Sequence, residues 1–169
     1  AHAGREFTKG ISAVAELARC ITAACAMSEP DRGITVNIGP LKGGGATNVV
    51  LDHAACWGNV RFPDAAAGEA LGVLLDTLAT TGDTLPKVTV HRAWNRPAKP
   101  RIPAVEKMAT TIQEAASDLG QTIHLTSTGG VCDGNMLQQL GVPTLDTLGI
   151  RGGNLHRLDE WIEVDSLCE

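Results

Sequence analysis

Gly33-Ile34-Thr35-Val36-Asn37-Ile38-Gly39-Pro40-Leu41-Lys42-Gly43-Gly44-Gly45 is the stretch on which the fold turns. Ile34, Val36 and Ile38 alternate with polar partners, the period of a strand with one face buried. Gly39-Pro40 and Gly43-Gly44-Gly45 then punctuate the chain as turn signals. Working outward, Ile11, Val14, Leu17, Ile21 and Cys25 recur at helical spacing and predict an amphipathic helix from Ile11 to about Met27. Downstream, residues 48–62 read as a short extended stretch followed by a longer strand with Trp57, Asn59 and Arg61 on one face. Asp64 is placed to cap a second helix whose buried stripe is Leu71, Leu74, Leu75 and Leu78 and which Gly82 ends. Val88, Val90 and Trp94 mark another strand. The order helix, strand, strand, helix, strand is a two-layer α+β sandwich, the ferredoxin-like arrangement without its opening strand, as though the chain started inside a domain.

Asn95-Arg96-Pro97-Ala98-Lys99-Pro100-Arg101-Ile102-Pro103 is rich in proline and positive charge and reads as a linker, with Pro103 in the first turn of the next helix. Val105, Met108, Ile112 and Leu119 give that helix its apolar stripe, and Gly120 stops it. A strand at about 122–125, a helix at about 134–140 and a strand at about 144–148 follow, alternating as in an α/β domain. Some seventy residues are too few to complete such a domain. The expected organisation is therefore a first domain over residues 1–96 and a second over 97–169.

Composition narrows the function. Hydrophobic residues make up 43% of the 169, enough for a core, while aromatics at 3% leave that core to Ala, Val, Leu and Ile. A formal net charge of -5 argues against a nucleic-acid partner. No apolar run is long enough to cross a bilayer, and Ala1-His2-Ala3-Gly4-Arg5-Glu6 lacks the apolar region of a secretory signal. The five cysteines, Cys20, Cys25, Cys56, Cys132 and Cys168, form no CxxC pair. They are expected as buried, reduced thiols of a cytoplasmic protein rather than as a zinc site or disulfide framework.

Chemistry-bearing residues gather towards the end of the chain. Thr128-Gly129-Gly130-Val131-Cys132-Asp133-Gly134-Asn135 and Leu148-Gly149-Ile150-Arg151-Gly152-Gly153-Asn154-Leu155-His156 are two glycine-rich loops around a short helix, and the second delivers an isolated His. His156 suits either a surface loop or a zinc ligand, and a catalytic zinc needs further His, Asp or Glu ligands. His2 is either a terminal residue or a donor to a developing oxyanion. Arg61 suits a solvated sheet face or a clamp on a substrate carboxylate. Asp133 is expected to cap the helix after it. His53, His91 and His124 are read as structural. Gly39-Pro40-Leu41-Lys42-Gly43-Gly44-Gly45 lacks the GK[ST] ending of a phosphate loop and reads as a tight connection between strands. No serine sits in a GxSxG elbow, and Cys132 reads as a packing residue before a nucleophile.

Taken in order, these pieces resemble a known family. Ala1-His2-Ala3-Gly4, Gly10-Ile11-Ser12-Ala13, Glu16-Leu17-Ala18, Thr35-Val36-Asn37-Ile38-Gly39, Gly43-Gly44 and Asn48-Val49-Val50 resemble the lid domain of the zinc-dependent aminoacylase and carboxypeptidase family. That family includes glutamate carboxypeptidase, acetylornithine deacetylase and succinyl-diaminopimelate desuccinylase. The Thr128–Asn135 loop, Gly141-Val142-Pro143-Thr144 and Gly152-Gly153-Asn154-Leu155-His156 resemble the end of its catalytic domain. The resemblance implies a ferredoxin-like lid, or dimerisation, domain followed by the closing segment of an α/β zinc-hydrolase domain.

It also implies a two-zinc hydrolase that cleaves the amide bond of an N-acyl amino acid or small peptide with a metal-activated water. His156 matches the family's last zinc ligand, and His2 matches the lid His that stabilises the oxyanion. Asn48 and Arg61 match lid positions that contact substrate, and Thr128, Gly129 and Gly130 match a loop lining the pocket. A homodimer through the lid is implied. The family's HxD motif, bridging Asp, catalytic Glu and other carboxylate ligands have no match in this sequence, and Asn59 stands where an acidic residue is usual. One His cannot hold two zinc ions. The expectation is thus a C-terminal portion of such an enzyme, inactive and not retaining zinc by itself. The alternatives are a non-catalytic dimerisation or binding module and one chain of a split enzyme.

Overall fold

The computed structural model describes residues 1–168, which divide into two compact units. One comprises Ala1–Pro100 with Ser127–Val131, the other Arg101–Thr126 with the chain from Cys132 onward.

In the first unit, helix α1 spans Ala13–Cys25. Ser12 caps it, its Oγ accepting the N–H of Ala15 at 3.2 Å. The helix buries Cys20 and Ala24, one turn apart. The stripe read from the sequence lies to one side of that buried face: Ile11, Val14 and Cys25 are exposed. Val14, Leu17, Ala18 and Ile21 instead line a groove of about 140 Å³ with Leu41, Gly43 and Ala54.

Strands β1 (Thr35–Gly43) and β2 (Ala54–Arg61) pair antiparallel, with Val36 opposite Val60 and Asn37 opposite Asn59. Gly39-Pro40, expected as a turn, lies inside β1. The register shifts between Ile38 and Leu41, so that Gly39 and Pro40 both stand opposite Trp57. A bulge tolerates proline because its extra residue makes no ladder bond.

Helix α2 spans Ala65–Asp76, and Asp64 caps it as expected, its Oδ1 accepting the Ala67 N–H at 2.8 Å. The helix stops six residues before Gly82, where the Thr77 hydroxyl donates to the Leu74 carbonyl at 2.6 Å. Ala24, Ile34, Val36 and Leu71 form the core, with Met27, Ile38, Val60, Ala67, Leu75 and Leu78 packed against it. Both helices thus cover one face of the ribbon. Leu74, expected in the stripe, is half exposed.

Residues 88–90, expected in a strand, join no ladder among the described residues. Val88 instead exchanges bonds with Thr80, accepting from its N–H at 3.1 Å and donating to its Oγ1 at 2.9 Å. A strand exists only where a neighbour supplies the other half of the ladder, and alternation in the sequence carries no information about that neighbour.

In the second unit, α3 spans Pro103–Asp118 with Pro103 in its first turn. It closes on Gly120, at φ 73°, where the N–H groups of Gly120 and Gln121 return to the carbonyls of Ser117 and Ala116. Helix α4, Asp133–Gln139, ends the same way on Gly141, at φ 89°. Its N-cap is Cys132 and not Asp133. The Asn135 side chain reaches back to accept the Cys132 N–H at 3.0 Å, which sets the boundary one residue earlier. Segments 122–125 and 144–148, expected as strands, join no ladder among the described residues, and Thr147 within the second has a left-handed backbone at φ 62°. A hairpin not read from the sequence closes the unit: β3 (Gly152–Gly153) pairs with β4 (Trp161–Ile162).

Candidate functional site

Two pairs of the candidate residues meet within the first unit. His2 and Val49 form an isolated antiparallel bridge, with the Ala3 N–H donating to the Asn48 carbonyl and the Val50 N–H to the Ala1 carbonyl, both at 2.8 Å. The chain ahead of α1 is thereby zipped to residues 48–50, and His2 and Asn48 become neighbours. Gly10 makes room for the zipper. A Cβ there would lie 2.8 Å from the Val50 side chain and 3.0 Å from the Ala1 Cβ.

The His2 imidazole lies over Gly4, and its Nδ1 accepts the Gly4 N–H at 3.1 Å. A neutral imidazole that accepts at Nδ1 carries its proton on Nε2. The local backbone therefore selects the tautomer whose far edge is a donor, which is what an oxyanion requires.

The second pair is Arg61 with the glycine loop. Arg61 is half-buried at the end of β2, opposite Thr35. Gly129 sits against its aliphatic stem, where a Cβ would stand 3.7 Å from Arg61 Cγ. Thr128 braces the loop by accepting the Gly130 N–H on its hydroxyl at 3.2 Å. All three loop residues are exposed. An arginine whose stem carries an exposed glycine loop suits recognition of a carboxylate through its planar fork.

His156 lies in the second unit, at the tip of the β3–β4 hairpin, with an exposed side chain. It and Asn154 both have left-handed backbones, at φ 65° and 59°. Carboxylates that the sequence reading passed over hold this loop. Asp159 accepts from Asn154 Nδ2 at 3.0 Å and from Arg157 Nε at 2.8 Å, and Glu160 accepts the His156 N–H at 3.2 Å. The available signal is two acidic residues, Asp159 and Glu160, three and four positions after a His that itself follows Gly152-Gly153 by three. At the hairpin base the Arg151 guanidinium donates to Glu163 at 2.7 Å and holds its carboxyl below the usual range. Cys132 also has a partner, its thiol donating to Asp146 Oδ2 at 2.9 Å.

Among the described residues no group of three or more His, Cys, Asp or Glu is gathered to hold a metal ion. His156, exposed on a braced loop, fits one ligand position of a zinc site and not a whole site. Nor are the thiols buried as a set. Cys20 alone is buried, Cys25 is exposed, and Cys56 and Cys132 lie between, while Cys168 falls where side chains are not described. Burial pushes the Cys20 and Cys56 thiols up. His53, His91 and His124 are exposed.

Comparison with known proteins places these features in a family. Residues 1–82 match the family described as the peptidase dimerisation domain. Succinyl-diaminopimelate desuccinylase of Psychrobacter arcticus is 27% identical over 137 residues, which are 79% of this chain and 33% of that enzyme. The Burkholderia multivorans desuccinylase is 28% identical over 72% of this chain and 31% of its own length. Among solved structures, aminopeptidase PepT from Bacillus cereus superposes with a TM-score of 0.82 at 28% identity, over 99% of this chain and 45% of its own. A tripeptidase from Staphylococcus aureus does so with a TM-score of 0.80 at 27% identity, over 99% and 44%. The chain therefore spans about a third of the desuccinylases and less than half of the peptidases that it matches. With a mixed α and β fold and peptidases as its structural neighbours, this chain carries the M20 peptidase dimerisation domain over residues 1–82 and is similar to M20 peptidases over part of their length.

Proposed function

We propose that this chain supplies the lid and the closing loops of a zinc-dependent peptidase or amidohydrolase that cleaves the amide bond of a small peptide or N-acyl amino acid. In that reading His156 is one zinc ligand, and His2 donates from Nε2 to the oxyanion. Asn48 and Arg61 hold the substrate, Arg61 by its carboxylate, and Thr128, Gly129 and Gly130 line the pocket. When bound, the metal pair would activate the attacking water. This chain's own part is to bind, orient and stabilise.

The observation that carries the reading is the Gly4 N–H on His2 Nδ1, which turns the donor edge of a neutral ring away from that bond. One imidazole ligand does not retain zinc against dialysis, so the chain by itself is inactive. A homodimer through residues 1–82 and a cytoplasmic location complete the proposal. The family match of that segment and the absence of a disulfide at Cys20, Cys25, Cys56 and Cys132 support them.

A second reading is a dimerisation or binding module without catalysis. It is favoured by the absence of a metal-holding group among the described residues. Mixing the chain with a polypeptide that carries the family's remaining zinc ligands separates the two, using a succinylated diamino acid and a tripeptide as substrates. Zinc-dependent hydrolysis that appears only in the mixture, and that falls at least about a hundredfold with His2→Ala, supports the enzyme. A zinc-loaded mixture that binds substrate without hydrolysis supports the module.

A further inference from the structure

We propose that Glu160 is a positioning residue for His156, fixing the direction in which the imidazole leaves the hairpin. The inference rests on the reading of His156 as a ligand-bearing residue. His156 has a φ of 65°, a region that side-chain-bearing residues rarely occupy and that persists only where the surroundings hold it. The Cα–Cβ bond of a left-handed residue leaves the backbone on a different side from that of an extended or right-handed one, so the sign of φ at residue 156 decides where the ring points.

Besides the backbone turn that closes across it, in which the Arg157 N–H donates to the Asn154 carbonyl at 3.1 Å, three kinds of contact hold the loop, and only one of these engages an atom of His156. The base is clamped by the β3–β4 bridge, with the Glu163 N–H donating to the Arg151 carbonyl at 2.8 Å and the Arg151 N–H donating to Ser166 Oγ at 2.9 Å. The second set gathers on Asp159. Its carboxylate takes Asn154 Nδ2 at 3.0 Å and Arg157 Nε at 2.8 Å, which fixes the turns before and after His156 and leaves residue 156 untouched. The third is the 3.2 Å bond from the His156 N–H to Glu160 Oε2. A carboxylate is a stronger acceptor than a neutral oxygen, and this one captures the N–H of the strained residue from four positions along the chain. The turn bond from Arg157 to Asn154 is compatible with either sign of φ at its third residue, so without Glu160 the backbone at 156 can relax to negative φ while that turn, the clamped base and the Asp159 brace remain.

The test uses the whole ¹⁵N-labelled chain, comparing amide exchange and the HN–Hα coupling at His156 in the native protein, Glu160→Ala and Glu160→Gln. Glu160→Ala should speed exchange of the His156 amide about tenfold or more and shift its coupling away from the left-handed value. The Glu163 amide at the hairpin base should keep its native rate. Glu160→Gln, which retains a side-chain acceptor, should restore most of the protection. An unchanged His156 amide in Glu160→Ala overturns the proposal, as does a rise in Glu163 exchange in step with it. Titrating the native chain with zinc chloride while following the His156 ring Hε1 signal tests the underlying reading separately. In the same titration repeated on the mixture with the polypeptide that carries the remaining zinc ligands, a ring that does not respond to zinc removes the ligand role, whereas the exchange result alone decides the positioning role.

Discussion

At the scale of single residues, glycines decide where the candidate groups stand. Gly10 has extended backbone, φ −98° and ψ 143°, which alanine adopts without strain. Its role is space, because an added Cβ would meet Val50 at 2.8 Å and Ala1 at 3.0 Å. Gly10→Ala gains about 0.4–1 kcal/mol from a stiffer unfolded chain. It loses about 1–3 kcal/mol to overpacking. The variant should therefore be less stable by about 1 kcal/mol, and the loss should concentrate where residues 1–3 meet 48–50. Denaturant unfolding combined with the His2 ring signals checks this; a more stable variant with unmoved His2 signals would show that the zipper has slack. The residues themselves offered His2 and Arg61 as one reading among others, and family resemblance added Asn48. That His2 is neighbour to Asn48, and that Gly129 lies on the Arg61 stem, are long-range facts invisible to spacing. Glu160 and Asp159 were missed for the opposite reason: acidic residues in a loop are common, and only the left-handed backbones of Asn154 and His156 give these two a task.

Elements built from local chemistry were legible, and those built from partners were not. Helices α2 and α3 follow from caps and stops that the sequence displays, such as Asp64, Pro103 and Gly120. Asp64→Ala removes an acceptor from the first turn of α2 and should cost about 1 kcal/mol. Asp64→Asn should recover most of that, as thermal unfolding of the three proteins would show; equal losses in both variants would mean that charge rather than capping is at work. The segments at 88–90, 122–125 and 144–148 have strand-like composition and no ladder, whereas Gly152–Gly153 and Trp161–Ile162 do pair. Two glycines make a poor strand by propensity. They pair because Trp161 closes on them so tightly that a Cβ on Gly152 would lie 2.5 Å from its carbonyl oxygen. The Arg151–Glu163 pair beside them makes the hairpin pH-dependent. Arg151 lowers the Glu163 pKa in the folded chain, so the unfolded chain binds the proton more readily. The pair's stabilisation is therefore complete above the ordinary carboxylate pKa and fades as pH falls through the lower folded value. Exchange of the Glu163 amide, corrected for intrinsic rate, should lose protection in that acid range. In Glu163→Gln the same protection should not vary with pH there, and a native protein equally indifferent to acid would remove the ion pair from the account.

For the whole molecule, surface area is the informative quantity. The chain exposes 12371 Å² for a mass of 17.6 kDa. A compact monomer of that mass exposes about 7,900 Å², and even two separately compact units of these sizes would expose only about 9,500 Å² together. The excess includes large apolar side chains that no described residue covers, among them Leu41 at 61% and Leu140 at 79% exposure. Faces of this kind are made to be buried against something. In the first unit the groove between α1 and the strand ends brings Val14, Leu17 and Ile21 to Leu41, inside the segment that matches a dimerisation domain. If that segment self-associates through this groove about a twofold axis, each substitution acts twice. Burying a leucine is worth about 1.5–3 kcal/mol, so Leu41→Lys should raise the dimer dissociation constant about a hundredfold or more. Because Leu41 is exposed within the chain, the same change should leave the stability of the monomer within about 0.5 kcal/mol. Sedimentation equilibrium of the native chain and the variant reads the first quantity, and unfolding at concentrations below dissociation reads the second. A native chain that stays monomeric at high concentration, or a Leu41→Lys variant that dimerises as well as native, would mean that this groove is not where the two copies meet. The excess apolar surface would then be covered by something other than a second copy of this groove, such as the segment that carries the remaining zinc ligands.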